Sequence, residues 1–135
     1  MSHPDGLPDL FVDRSLGRLQ VPRLLRAAGL RLTTLAERYG IPADETVADA
    51  DWLREAGTRG EAVFMKDERV RYNVAEKAAI GDHAVRAFCL TRGDLDAASM
   101  AGLFLDHLQR ITAACADEAG LFVVNRRGIR RVDLG

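Results

Sequence analysis

Two short apolar segments of the chain each lead directly into an aspartate. Leu10–Val12 is followed by Asp13, and Ala62–Met65 is followed, one residue later, by Asp67. Short, β-rich runs with polar flanks are typical of buried strands. Because the carboxyl ends of parallel strands lie at one edge of a sheet, where open α/β folds bind ligands, we expect both aspartates at that edge.

Carboxylates gathered at one sheet edge repel each other unless a cation or a shared proton offsets their charge. Sites built only from oxygen ligands select Mg²⁺ or Mn²⁺ rather than zinc. Each aspartate alone is better explained as a solvated strand end paired with its basic neighbour, Arg14 or Lys66. Together they favour a site for Mg²⁺ or Mn²⁺, and we predict that one of these ions is the cofactor.

A third acidic position precedes an apolar stripe. Asp49 and Asp51 open a segment in which Trp52, Leu53 and Ala56 recur at helical spacing, so a helix is predicted there with Asp49 as its N-cap. A helix that crosses over between parallel strands begins at the carboxyl edge. Asp51 is rotated by about 200° from Asp49 around such a helix. We therefore choose Asp49 as the third candidate ligand and keep Asp51 as the alternative.

Basic residues are dense just after the second strand-end aspartate, at Lys66, Arg69, Arg71 and Lys77. They are either a solvated helix face or contacts for phosphate groups beside the predicted metal site. A second cluster, at 126–131, holds four arginines on a predicted terminal hairpin and favours a surface or partner-binding edge.

The elements that would position these residues alternate between strands and helices. This order predicts a single three-layer α/β domain with a mostly parallel central sheet and helices on both faces. Residues 1–8 are predicted to be a flexible tail and residues 9–135 the domain. The strands are expected at 10–12, 30–35, 62–65, 84–90, 121–124 and 129–132, with the ends of the first and third adjacent, and residues 37–46 are expected to be a loop. The helix that follows Asp49 is expected to close at Gly57 and Gly60. Asn73 and Glu76 have a spacing close to that of a capping box, and one long helix is expected after Asp94, with Ala98 on its buried face.

Composition limits the classes of function. The 135 residues include 47% apolar residues and carry a net charge of −1, which suits a globular domain and gives no support for non-specific nucleic-acid binding. No apolar run approaches the roughly 18 residues of a membrane span, and no signal peptide is evident, so we expect a cytoplasmic protein without a membrane partner. Cys89 and Cys115 are expected to be buried free thiols.

Three segments in their order along the chain resemble the PIN-like domains, and in particular the short PIN-domain toxins of the VapC type: Leu10–Asp13, Asp49–Leu53 and Val63–Asp67. The resemblance implies a metal-dependent ribonuclease with RNA as substrate, an antitoxin as partner and a homodimer as a further assembly. It implies that Asp13, Asp49 and Asp67 are the catalytic and metal-binding acids.

By the same resemblance, the residues expected to contact RNA are Arg14, Lys66, Arg69 and Arg71. The chain departs from the family pattern at Met65, where many members have Thr or Ser, and at Arg69, where many have another acid. A fourth acid is therefore open, with Asp51, Glu45 and Glu68 as candidates.

Two other functions remain open from the sequence. A receiver-like phosphoryl-transfer domain also places acids and a lysine at a sheet edge, although such domains have paired acids near the first strand and this chain has Asp13 alone there. A catalytically silent PIN scaffold that only binds a partner is the second. Metal binding discriminates between the silent scaffold and the ribonuclease.

Overall fold

A computed structural model describes residues 2–69 and 73–134 and folds them around one sheet of six strands. The strands are β1 (Leu10–Val12), β2 (Leu32–Thr34), β3 (Ala62–Lys66), β4 (Arg86–Leu90), β5 (Gly120–Asn125) and β6 (Gly128–Val132). Their order across the sheet is β2-β1-β3-β4-β5-β6, and only the β5–β6 pair is antiparallel. The predicted adjacency of the first and third strands is confirmed by the β1–β3 pairing.

Helices cover both faces of the sheet, which confirms the predicted three-layer α/β class. They are α1 (Gln20–Ala27), α2 (Leu35–Tyr39), α3 (Asp49–Arg59), α4 (Val74–Asp82), α5 (Ala97–Asp106) and α6 (Leu108–Cys115). α1, α5 and α6 pack on one face, whereas α2, α3 and α4 pack on the other.

Side-chain alternation along the strands divides the core into two layers. Val12 and Phe64 belong to the layer beneath α1 and α5, and the Phe64 ring stacks on Phe104 of α5 at 4.1 Å. Phe11 and Met65 belong to the layer beneath α3 and α4. This alternation decides the face on which the residues that follow each strand project.

The segment 37–46, predicted to be a loop, is partly helical. α2 begins after Thr34, whose hydroxyl accepts from the Glu37 backbone while the Glu37 carboxylate accepts from the Thr34 backbone. This reciprocal cap supports a helix of only five residues. A 3₁₀ turn follows at Ala43–Glu45.

Of the two glycines expected to close α3, Gly60 does so, whereas Gly57 lies inside the helix. A Cβ at position 57 would lie 2.3 Å from the carbonyl oxygen of His83, just beyond the end of α4. The glycine therefore allows close packing of the two helices and does not end α3. The helix ends at Gly60, which has a φ of 70°.

The long helix predicted after Asp94 is two helices, α5 and α6, which meet at His107. Its cap is Asp96, whose carboxylate accepts from the Ser99 backbone, because Asp94 is instead paired with Arg92 at 2.9 Å. Ala98, predicted on the buried face, is exposed. The predicted strand 84–90 begins at Arg86.

The segment predicted to be a tail makes contacts with the domain. Leu7 is buried, and His3 accepts a hydrogen bond from the backbone of Arg31 at 2.9 Å. The flexibility of residues 1–8 stays a prediction. Cys89 and Cys115 are buried free thiols, as predicted. Within the described ranges, no helix is long and apolar enough to cross a membrane.

Candidate functional site

Asp13 continues the β1–β3 pairing, since its backbone N–H donates to Phe64 O at 3.0 Å. Its Oδ2 accepts from the Ser15 hydroxyl at 2.7 Å and from the Ser15 backbone at 3.3 Å. Its Oδ1 is buried and has no hydrogen-bond partner among the described residues. Burial raises the pKa of Asp13, and the hydrogen bonds from Ser15 oppose that rise.

Ser15 also joins the two strand ends. Its hydroxyl oxygen accepts from the Lys66 backbone N–H at 2.9 Å while the hydroxyl donates to Asp13. This side chain therefore fixes Asp13 relative to the end of β3.

Asp67 follows β3 at the same edge. Its backbone N–H donates to Leu90 O of β4 at 2.9 Å, and its Oδ1 accepts from Arg69 N at 2.8 Å. Asp13 is two residues beyond Phe11, and Asp67 is two residues beyond Met65. Strand alternation therefore directs both aspartates to the side of α3 and α4.

Asp49 is the first residue of α3, and Ala48 occupies the N-cap position for which Asp49 was predicted. Its carboxylate does not cap the helix; Oδ1 accepts from the indole N–H of Trp52 at 3.0 Å and from Arg14 at 3.4 Å. Trp52 and Leu53 are fully buried, as predicted, and so fix the start of α3 at the sheet edge.

Glu76, in the first turn of α4, is a buried acid that the sequence analysis did not select. Its Oε2 accepts from the Asn73 amide at 2.9 Å. Burial, a hydrogen bond shared with Asp67, and the negative charges of Asp49 and Asp13 raise the pKa of Glu76 to about 8. Glu76 therefore feels the negative charge of all three aspartates selected from the sequence.

Among the described residues, no group of three or more His, Cys, Asp or Glu side chains is placed so that it could hold a metal ion. The donors nevertheless fit a hard cation, because all are carboxylate oxygens, one of which is buried without a partner. Glu76 forms a hydrogen bond with Asp67, and a divalent ion bound beside the two carboxylates would offset their repulsion.

The sequence matches the family described as "PIN like domain" over residues 8–92. The chain belongs to the PIN-like domain family. It is also 41% identical over 108 residues, 80% of this chain and 78% of the relative, to a protein of Mycobacterium tuberculosis (strain ATCC 25618 / H37Rv) named "Putative ribonuclease VapC45". A comparison with solved structures gives no match. The resemblance to VapC-type proteins is thereby confirmed, and the receiver-like alternative is set aside.

In this PIN-like domain, the three residues proposed from sequence as a fourth acid lie in other surroundings. Asp51 is more than half exposed and lies 3.7 Å from Arg54. Glu45 is exposed and pairs with Arg18 at 3.1 Å. The carboxylate of Glu68 occupies the space where a Cβ at Gly93 would lie, so it packs on the loop after β4.

The basic residues predicted to contact RNA have different environments. Arg14 donates to the backbone oxygens of Asp44 at 2.8 Å and Val47 at 3.2 Å, and so holds the segment that leads into α3. Lys66, at the end of β3, is half-buried, and Arg69 is exposed. Arg71 lies outside the described residues. The roles of all four in RNA binding stay predictions.

The signal that could have identified Glu76 was the one used for Asp49. Both acids open a helix that follows the carboxyl edge of the sheet. Glu76 was instead interpreted as half of a capping box with Asn73, and that interpretation is partly right. Asn73 does accept from the Glu76 backbone at 3.0 Å, but the Glu76 carboxylate binds the Asn73 amide and faces Asp67.

Proposed function

We propose that the protein is a Mg²⁺- or Mn²⁺-dependent endoribonuclease of the VapC type, acting in the cytoplasm as the toxin of a toxin–antitoxin pair. The observation that carries this proposal is the convergence of four acids in a PIN-like chain. Asp13, Asp49 and Asp67 would hold the cation, as predicted from sequence, and Glu76 is added as the fourth acid. The relative's name supports ribonuclease activity.

Each acid would reach the cation by a different route. Asp13 would present its buried Oδ1, because Oδ2 is already held by Ser15. Asp67 would present the carboxylate that forms a hydrogen bond with Glu76. Asp49 would bind the cation with only part of its carboxylate, because Oδ1 also accepts hydrogen bonds from Trp52 and Arg14. Asp51 remains the alternative to Asp49.

When bound, a divalent cation supplies an activated water and offsets the negative charge that develops on the phosphate. The chain's own residues would orient the substrate around it. Lys66 is placed by strand alternation on the side of α1 and α5, away from the acids, so it would contact the RNA backbone beside the scissile phosphate. Arg14, Arg69 and Arg71 would add further phosphate contacts.

The test is thermal melting with and without Mn²⁺, run beside cleavage of a single-stranded RNA, for the parent and Asp67→Asn. A cation that binds only the folded state stabilises it by mass action, so Mn²⁺ should raise the Tm of the parent. Asp67→Asn should lose that shift and lower cleavage by about 100-fold or more.

The matched control is Asp94→Asn, an exposed acid after β4 that pairs with Arg92. It should retain both the Tm shift and cleavage. Cleavage that survives a chelator and Asp67→Asn would exclude the metal-dependent mechanism. A parent with neither a Mn²⁺ shift nor cleavage would favour the silent scaffold.

The proposed partners are an antitoxin that covers the acidic edge and a second copy of the chain. Both rest on the family, since an unrestrained ribonuclease would damage its own cell. Co-purification from the native host should recover a second protein, and light scattering should give the mass of the assembly. A monomer recovered alone would count against both partners.

A further inference from the structure

A cavity of about 460 Å³ opens beside the acidic edge, between the carboxyl ends of β4 and β5 and the side of α5. Its walls are mainly apolar and its rim is polar. The residues that matter here are Leu90, Leu103, Val124, Ser99, Asn125 and Arg126.

The cavity adjoins the proposed catalytic acids through β4. Leu90, in its wall, accepts the hydrogen bond from the backbone of Asp67 at 2.9 Å and is in register with Lys66. Adjacent strands lie about 4.8 Å apart, so the cavity begins one to two strand spacings from Asp67. Lys66 projects to the α1 and α5 side, which is the side of the cavity.

We propose that this cavity takes one unpaired base of the RNA strand whose backbone crosses the acidic edge. The proposal rests on the ribonuclease function above. The partly exposed apolar side chains in its wall, Leu95 and Leu103, suit the flat face of a base, and the volume of the cavity exceeds what one base requires. Sequence-specific RNA recognition generally uses unpaired bases that leave the strand and enter such pockets.

The polar rim suits the edge of the base and the backbone beside it. Asn125 Oδ1 accepts from the Arg127 backbone at 2.9 Å, which orients the amide so that its NH₂ group faces the other way, as a donor to a base. Arg126 is exposed on the turn between β5 and β6 and is positioned for a phosphate. Arg126 belongs to the arginine cluster at 126–131, so one member of that cluster would contact the RNA.

Gly102 provides a way to fill the cavity without disturbing the fold. It lines the cavity from α5, and a Cβ built on it meets no atom within 4 Å. Gly102→Leu would place a side chain in the proposed base pocket and would also favour the helix, since Gly is the poorest helix former after Pro. Ala98→Leu is the matched control, because Ala98 is exposed on the same helix and does not line the cavity.

The experiment measures binding of a short labelled single-stranded RNA in chelator by fluorescence anisotropy. A series of RNAs in which one nucleotide at a time is made abasic is compared for the parent, Gly102→Leu and Ala98→Leu. One abasic position should weaken binding to the parent and to Ala98→Leu about tenfold, the scale of one stacked base. Gly102→Leu should bind the intact RNA about tenfold more weakly and be insensitive to that abasic position.

Equal responses of the parent and Gly102→Leu to every abasic position would overturn the pocket. Cleavage and the Mn²⁺ shift of the parent then separate the two proposals. If both are present, the ribonuclease stands and only the pocket fails. If the parent neither binds nor cleaves RNA, the proposed function fails and the pocket fails with it.

Discussion

Buried acids occur in two contrasting surroundings in this molecule. On the flank of the sheet, Asp44 is buried, and both of its carboxylate oxygens accept from Arg18 at 2.9 Å. Glu61, before β3, forms an equally complete pair with Arg38, at 2.6 Å for one of its two contacts. At the carboxyl edge, Asp13 has a buried oxygen without a hydrogen-bond partner in the part of the chain that the structure describes, and Glu76 faces another acid.

The acids of the first kind stabilise the fold, whereas those of the second kind repel each other and do not. A buried carboxylate with a bidentate arginine is satisfied by the chain itself. Carboxylates that face each other are satisfied only by a proton or a cation from outside. The edge is therefore the region where a ligand is expected, although both regions look alike as scattered Asp and Glu in the sequence.

The largest expected effect is on a paired acid. Glu61→Gln should leave the guanidinium of Arg38, whose side chain is only 10% exposed, without its counter-charge. Breaking such a pair should lower the free energy of unfolding by about 3 kcal/mol. Asp13→Asn should leave it unchanged or raise it in chelator, because it removes a buried charge and keeps an acceptor for Ser15. Urea unfolding of both variants in chelator measures the contrast.

Glu118→Gln, at an exposed acid, is the control for the loss of a negative charge alone. A loss of stability in Asp13→Asn equal to that in Glu61→Gln would show that the two regions do not differ. It would also remove the argument that the edge is organised for a cation.

The second effect concerns the identity of the fourth acid. Glu76→Gln should lower Mn²⁺ affinity and cleavage by about 10- to 100-fold, the range found when a supporting group at a metal site is lost. Glu68→Gln, on the loop after β3, should change neither, since that carboxylate packs on Gly93. A Mn²⁺ titration followed by Tm, beside cleavage rates, distinguishes them. The opposite ranking would return the fourth position to Glu68.

These two regions also show which features of the structure could be predicted from the sequence. The strand ends at Asp13 and Asp67 were predictable, because short apolar runs and their flanking acids are local signals. The partner of Asp44 was not, since Arg18 lies 26 residues earlier, in the turn before α1, and only the tertiary fold brings it to the 3₁₀ turn that holds Asp44. Long-range pairing of this kind leaves no periodic trace in the chain.

Glu76 was missed for a related reason. Asn73 and Glu76 have the spacing of a helix cap, and a local explanation was sufficient for both. What gives Glu76 its other role is burial against Asp67, which depends on how α4 packs on α3 and the sheet. Gly57 is a similar case. A glycine often marks the end of a helix, but this one allows the close contact with His83.

A smaller effect is expected where the edge is held by a neutral group. Ser15→Ala removes the hydroxyl that donates to Asp13 and accepts from Lys66 N. Stability should fall by about 1–2 kcal/mol, and cleavage by about tenfold, because Asp13 loses its orientation. Thr58→Ala, which removes a hydroxyl bonded only within α3, should cost less and leave cleavage intact. An unchanged cleavage rate in Ser15→Ala would show that Asp13 needs no such support.

The smallest expected effect is the pH dependence of the Arg18–Asp44 pair. Arg18 beside Asp44 holds the pKa of that carboxyl below its ordinary value of 3.8. Because the folded-state pKa is the lower one, the contribution of this pair to stability is present above the unfolded-state pKa and is lost as the pH falls through the folded-state pKa. Arg18→Met removes the counter-charge and should lower Tm at neutral pH, with the difference from the parent shrinking as the pH falls below 3.8.

Arg92→Met, at the exposed Asp94 pair, is the control and should show a weaker form of the same trend, since solvent screens that pair. Thermal melts of the three proteins in chelator, at pH values on both sides of 3.8, measure the difference. A difference between parent and Arg18→Met that stays constant through the acid range would show that Asp44 gains nothing from ionisation.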